Sequence, residues 1–193
     1  MGKKMDKTIE LLDCTLRDGA YIVDAKFGTP AIKGIIKKMQ DANVDIIECG
    51  WLKNAPHEEG TSFYHTPEDL KPYLLQRSER VTYVAMIDWD RYDLDDLPEC
   101  DGQTLDAIRV VFPHGKHIEG IAVGEQIAEK GYRVFFQAAN TLAYSDDDLF
   151  ELAEVVNRAH PVALSVVDTF GAMYNPLDPP DFVQIGDKKL GRN

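Results

Sequence analysis

Six runs rich in Val, Ile and Phe recur along the chain: TIELLDC, VDIIECGW, VTYVAMID, AIRVVFP, YRVFFQAAN and VALSVVDTFGA. Apolar and polar positions alternate only weakly within them, which is the pattern of strands buried on both faces. Between them lie segments of helical period. Ile32, Ile35, Ile36 and Met39 fall at i, i+3, i+4 and i+7, behind Thr29 as N-cap and Pro30 at the first helical position. Leu149, Leu152, Ala153 and Val156 repeat the period, with Ser145 and Asp148 as a capping box in which Asp replaces Glu. Ile118, Ile121 and Ala122 open a third helix that closes near Gly131, and TPED introduces a short one over 70–75.

Strands alternating with helices at crossover length predict a parallel sheet and an α/β fold. A doubly wound sheet and an eight-fold β/α barrel share that pattern. No GxGxxG follows the first strand, which weakens the dinucleotide-binding version. The polar residues favour the barrel: Asp18, Glu48, Asp88, His114, Asn140 and Asp168 all stand at C-terminal strand ends, which a barrel gathers into one mouth. A barrel uses roughly 250 residues for eight units, and about six units are visible here. The expectation is therefore an incomplete TIM-type barrel over 1–175, followed by an irregular proline-rich tail over 176–193 whose only strand-like piece is FVQIG. Such a sheet has two open edges, which predicts either homo-oligomerisation or instability.

Composition narrows the partners. In 193 residues, 44% apolar content fits one soluble globular unit. The formal charge of -12 argues against nucleic acid and against anionic membrane surfaces. MGKKMDK has positive charge but no apolar run behind it, and Asp6 stands where myristoylation wants Ser or Thr, so a cytoplasmic location is expected. Cys14, Cys49 and Cys100 form no CxxC, so neither a disulfide framework nor a thiolate metal site is expected. Cys14 and Cys49, inside apolar runs, read as buried inert thiols. The acids Asp146, Asp147 and Asp148 suit a helix N-terminus, and DWDRYDLDDLPECD reads as a solvated surface segment. Trp51 and Trp89 either pack or line the mouth.

The first apolar run ends in DCTLRDG (13–19), an unusual concentration of charge for a buried strand. Arg17 and Asp18 there are either a structural ion pair or a site. The motif resembles the first-strand signature of the metal-dependent HMG-CoA lyase-like (DRE-TIM metallolyase) superfamily, which includes 3-hydroxy-3-methylglutaryl-CoA lyase, isopropylmalate synthase and 4-hydroxy-2-oxovalerate aldolase. IIECGW, QAANTLAYS and VDTFGAM continue the similarity, nearest to the aldolase-type members. The resemblance implies carbon–carbon lyase or aldolase chemistry on a 2-oxo acid or related carbonyl substrate, through an enolate whose oxygen a cation stabilises. It implies Asp18 as ligand of Mg2+ or Mn2+ and Arg17 as the group holding the carbonyl and enolate oxygen. It makes Glu48 and Asp168 acidic members of the pocket network, and Asn140 and Thr169 polar substrate contacts.

Two departures open alternatives. Tyr21 stands where the aldolases place a histidine base, and a phenol of ordinary pKa near 10 is a poor base at neutral pH. It therefore reads as a packing or substrate-contact residue unless its pKa is depressed. The family's His-x-His metal motif of strand seven has no counterpart among His57, His65, His114, His117 and His160. His114 and His117, three apart in a loop, are a poor metal signal, and Asp18 alone would bind a divalent ion weakly. A truncated, catalytically incompetent member acting as a fragment or interaction module is thus one alternative. An acyl-CoA-using synthase of the isopropylmalate or homocitrate type is another.

Overall fold

The computed structural model describes residues 9–172. All six apolar runs form strands: β1 (Leu12–Asp13), β2 (Ile46–Leu52), β4 (Thr82–Asp88), β5 (Ala107–Phe112), β6 (Arg133–Ala138) and β7 (Ala163–Val166). A two-residue β3 (Phe63–Tyr64) is added beside β2, through the pairs Trp51↔Phe63 and Leu52↔Tyr64. Every pairing is parallel, and the strand order β1-β2-β4-β5-β6-β7 follows the chain. That order decides between the two expected architectures. A doubly wound sheet reverses direction at a switch point, whereas a sheet that adds each strand beside the last curls toward a barrel. The result is a curled parallel half-barrel, with β1 and β7 at the two ends of the path. The tail expected over 176–193, and the domain boundary near 175, lie outside the described residues.

The helices are α1 (Thr15–Asp18), α2 (Ala20–Val23), α3 (Thr29–Asp41), α4 (His117–Glu129) and α5 (Asp146–Ala159). The main core lies between the outer sheet face and these helices, where Ile32 and Ile36 of α3, and Leu152 and Val156 of α5, join Ile47, Tyr83, Ala85, Ile108, Val110 and Phe136. Three local expectations are corrected. Thr29 lies inside α3, and Gly28 at φ 85 precedes it as the N-cap. The helix expected over 70–75 is a 3-10 helix, Pro67–Tyr73, opened by a capping box between Thr66 and Asp69. Ile118 is exposed rather than buried, because α4 meets the sheet through Gly120 and Gly124: a Cβ there would collide with the rings of Phe112 and Phe136. An apolar-period count cannot see a helix face made of glycine.

The capping box of α5 forms as expected, with Ser145 N and Oγ donating to Asp148 Oδ2 at 2.9 and 2.6 Å. These bonds, aided by His114, hold the Asp148 carboxyl down at about 2 against its ordinary 3.8. A depressed carboxylate stabilises the fold above its unfolded pKa and loses that contribution as pH falls toward its folded one. The melting temperature of the wild type should therefore approach that of Asp148→Asn as pH falls from 3.8 to about 2, followed by circular dichroism. An undiminished gap at the acid end would contradict the assignment.

Candidate functional site

Strand alternation divides the sheet into two faces. On the concave face Leu12, Ile46, Val84, Ala107 and Phe135 form an apolar floor. Further toward the C-terminal strand ends, the same face carries Glu48, Met86, Arg109, Gln137 and Ser165: the register pairs Met86 with Arg109 and Gln137 with Ser165, and it staggers the row by two residues at Glu48, which lies opposite Val84, and at Arg109, which lies opposite Phe135. This second layer is polar, and three of its members are buried charged or amide groups.

Glu48 is its centre, with no exposure. Its Oε1 accepts from Arg109 Nη1 at 2.7 Å and its Oε2 from Arg17 Nε at 2.8 Å. Arg109 Nη2 continues to Gln137 Oε1 and, at 3.4 Å, to Ser165 Oγ. Arg17 Nη1 donates to Asp18 Oδ1 at 2.8 Å. A chain of charge thus runs from a half-exposed carboxylate at the rim, Asp18, inward to the middle of β5. Burial in a low-dielectric interior is tolerable for these ions only because each finds an opposite charge.

DCTLRDG builds the rim end of this chain. Asp13 ends β1 and caps the next turn, accepting from Thr15 N at 3.0 Å and Thr15 Oγ1 at 2.9 Å. The backbone N–H groups of Arg17 and Asp18 both donate to Cys14 O, so the single turn α1 throws Arg17 inward and leaves Asp18 outward. Arg17 and Asp18 therefore sit one turn beyond the strand end that the sequence suggested. The Trp51 ring lies 6.0 Å from the Arg17 guanidinium carbon. Lys53 follows on β2's end, its ammonium 3.4 Å above the Phe63 ring, with burial lowering its pKa. Burial likewise raises the Asp88 carboxyl and pushes up the thiols of Cys14, which is half-buried, and Cys49, which is fully buried.

The remaining candidates are placed as follows. Asn140 takes a left-handed conformation, φ 53, and its backbone N–H donates to Thr169 Oγ1 at 2.7 Å. Thr141 Oγ1 accepts from Val167 N at 2.8 Å and donates to Ala138 O at 2.9 Å, tying the β6 and β7 ends together. Asp168 Oδ1 accepts from Ala172 N at 2.8 Å. These bonds shape the loops beside the rim. Tyr21, on α2, is 74% exposed, so it is no packing residue of the core. His114 and His117 approach acids of α5, Asp148 at 3.1 Å and Glu151 at 3.2 Å.

The described residues contain no group of three or more His, Cys, Asp or Glu side chains able to hold a metal ion. Asp18 offers one carboxylate, with one oxygen already engaged by Arg17. These residues do not make a divalent-metal site. No helix among them is long and apolar enough to cross a membrane.

Sequence reasoning missed Arg109, Gln137 and Ser165. A signal for Arg109 existed: it is a lone cation inside a run otherwise buried on both faces.

No family model and no curated protein matches the sequence. Solved structures do match. The N-terminal domain of a candidate aldolase from Bacteroides vulgatus superposes with a TM-score of 0.71 at 20% identity, covering 93% of this chain and 60% of that one. The carboxyl transferase domain of Rhizobium etli pyruvate carboxylase gives 0.69 at 16% identity, over 96% of this chain and 34% of that one. A variant of the latter crystallised with pyruvate gives 0.70 at 15%, with the same coverage. The chain has their fold. It spans about three fifths of the first and one third of the others.

Proposed function

We propose that this chain carries residues of a carbon–carbon lyase or aldolase site for a 2-oxo acid or related carbonyl compound. The observation that carries the reading is the buried Arg17–Glu48–Arg109 array at the rim of a curled parallel sheet. The fold neighbours support it, one being a candidate aldolase and another holding pyruvate. When the bond next to a carbonyl breaks, its electron pair passes to carbon and is delocalised onto the carbonyl oxygen. A fixed cation stabilises that oxygen more than it stabilises the neutral carbonyl, and the difference lowers the barrier. Arg17 has the properties of such a cation. Its charge is permanent, Glu48 fixes its Nε, and its Nη2 has no partner among the described residues. Asp18 holds Nη1 and closes the rim side. The divalent metal of the resembled enzymes finds only one carboxylate here, and no step is routed through it.

The test is exchange of pyruvate methyl protons for deuterium, followed by NMR with the full chain, with and without Mn2+. Exchange above background is expected, and Arg17→Gln should slow it by about 10²-fold or more. Exchange that is absent in both conditions, or indifferent to Arg17, defeats the reading.

A further inference from the structure

Arg17 accounts for one oxygen of Glu48, yet a second arginine is buried behind it. Arg109 is 5% exposed, stands in mid-strand, and its Nε is a buried atom without a hydrogen-bond partner. Two guanidinium cations therefore share one carboxylate, which is more cation than neutralising Glu48 requires. Geometry supplies the reason. A guanidinium alone with a carboxylate takes both oxygens in a parallel fork, and a forked Arg17 would turn an Nη atom inward to Oε1. Arg109 Nη1 sits on Oε1 at 2.7 Å, and an Nη donor of Arg17 on that same oxygen would bring two guanidinium cations into contact, so Arg17 keeps to the single bond from Nε to Oε2 at 2.8 Å. Both its Nη atoms are left for the rim, Nη1 on Asp18 and Nη2 without a partner among the described residues. Gln137 Oε1 and Ser165 Oγ hold Arg109 from behind.

We propose that Arg109 is a positioning residue: by occupying one oxygen of Glu48 it prevents a forked pair and presents the Nη face of Arg17 to the substrate oxygen. The substrate half of this statement rests on the proposed function; the orientation of Arg17 does not. The experiment uses the full chain with 15N-labelled arginine, the Arg17 Nε–H signal being assigned by its loss in Arg17→Lys, together with pyruvate titration. In Arg109→Met the Arg17 signal should shift and pyruvate affinity should fall at least about tenfold, the loss of one well-placed charged hydrogen bond. Arg109→Lys, whose ammonium still covers Oε1, should keep the signal near its wild-type position and restore most of the affinity. A folded Arg109→Met chain with an unmoved Arg17 signal overturns the proposal. Should that variant not fold, Gln137→Met decides: it releases Arg109 from behind without removing a charge, and a smaller shift in the Arg17 signal is expected, none being the contrary result. If the wild type binds no pyruvate while the signal behaves as stated, the positioning role stands and the 2-oxo acid reading fails.

Discussion

Glu48→Gln is expected to lower the stability of the fold by about 3–5 kcal/mol, the loss seen when one partner of a buried ion pair is removed. Both oxygens of Glu48 are engaged and the residue has no exposure, so a neutral amide leaves two guanidinium groups facing each other in a water-poor interior. Arg17 can relax toward Asp18 and the rim, but Arg109 in mid-strand cannot, which sets the cost by the deeper arginine. Against a total of about 5–15 kcal/mol for a domain, this is a large fraction. Urea denaturation should show it as a lower midpoint at unchanged slope. The double variant Glu48→Gln/Arg109→Met should recover part of the loss, since it removes the charge that was stranded, and the coupling is read from the cycle. A change in Glu48→Gln smaller than about 0.5 kcal/mol, the range of ordinary surface substitutions, would mean that the array is solvated and would remove the basis for Arg17 as a fixed cation.

What could be read from the sequence divides along the length scale of the interactions. The strands were legible because burial on both faces writes a continuous apolar run, and α3 and α5 because one buried stripe recurs every turn. DCTLRDG was legible as a concentration of charge, although α1 was not: four residues cannot nucleate a helix alone, and this turn is held by Asp13 and Cys14 from outside it. β3 escaped for the same reason, since two residues become a strand only where the edge of β2 is offered to them. Glu48 could be assigned to the pocket through the resemblance, but its deeper partner could not be read. An acid after an apolar run reaches solvent or turns inward to a cation, and its cation Arg109 lies 61 residues away. Tyr21 was singled out by its place after the motif, and that place is on the exposed side of α2. The loop bonds among Asn140, Thr141, Val167 and Thr169 depend on two strand ends meeting, which composition cannot reveal.

Gly50→Ala is expected to be as costly in a different way. Between Glu48↔Val84 and Trp51↔Met86, β2 carries two intervening residues and β4 only one, so β2 bulges by one residue. The extra residue reverses the alternation beyond it: Trp51 pairs with Met86 and comes to the concave face with Glu48, where its ring meets Arg17 at 6.0 Å, instead of joining the outer core. Bulges near functional residues commonly redirect a side chain in this way. Gly50 makes the bulge possible with φ 145, which L side chains rarely adopt, and a Cβ there would run into the backbone carbonyl of Ser62, with no flexible side chain to move aside. Backbone strain of about 1–3 kcal/mol and overpacking of similar size place the expected loss at about 2–5 kcal/mol, read by thermal or urea denaturation. Position should change along with stability. In a Trp89→Phe background, which leaves Trp51 as the only tryptophan of the sequence's two, Gly50→Ala should alter the emission and near-ultraviolet dichroism of Trp51. Destabilisation without a change in Trp51 would separate the bulge from the site; neither change would show that alanine is accepted there and that the bulge does not orient the wall beside Arg17.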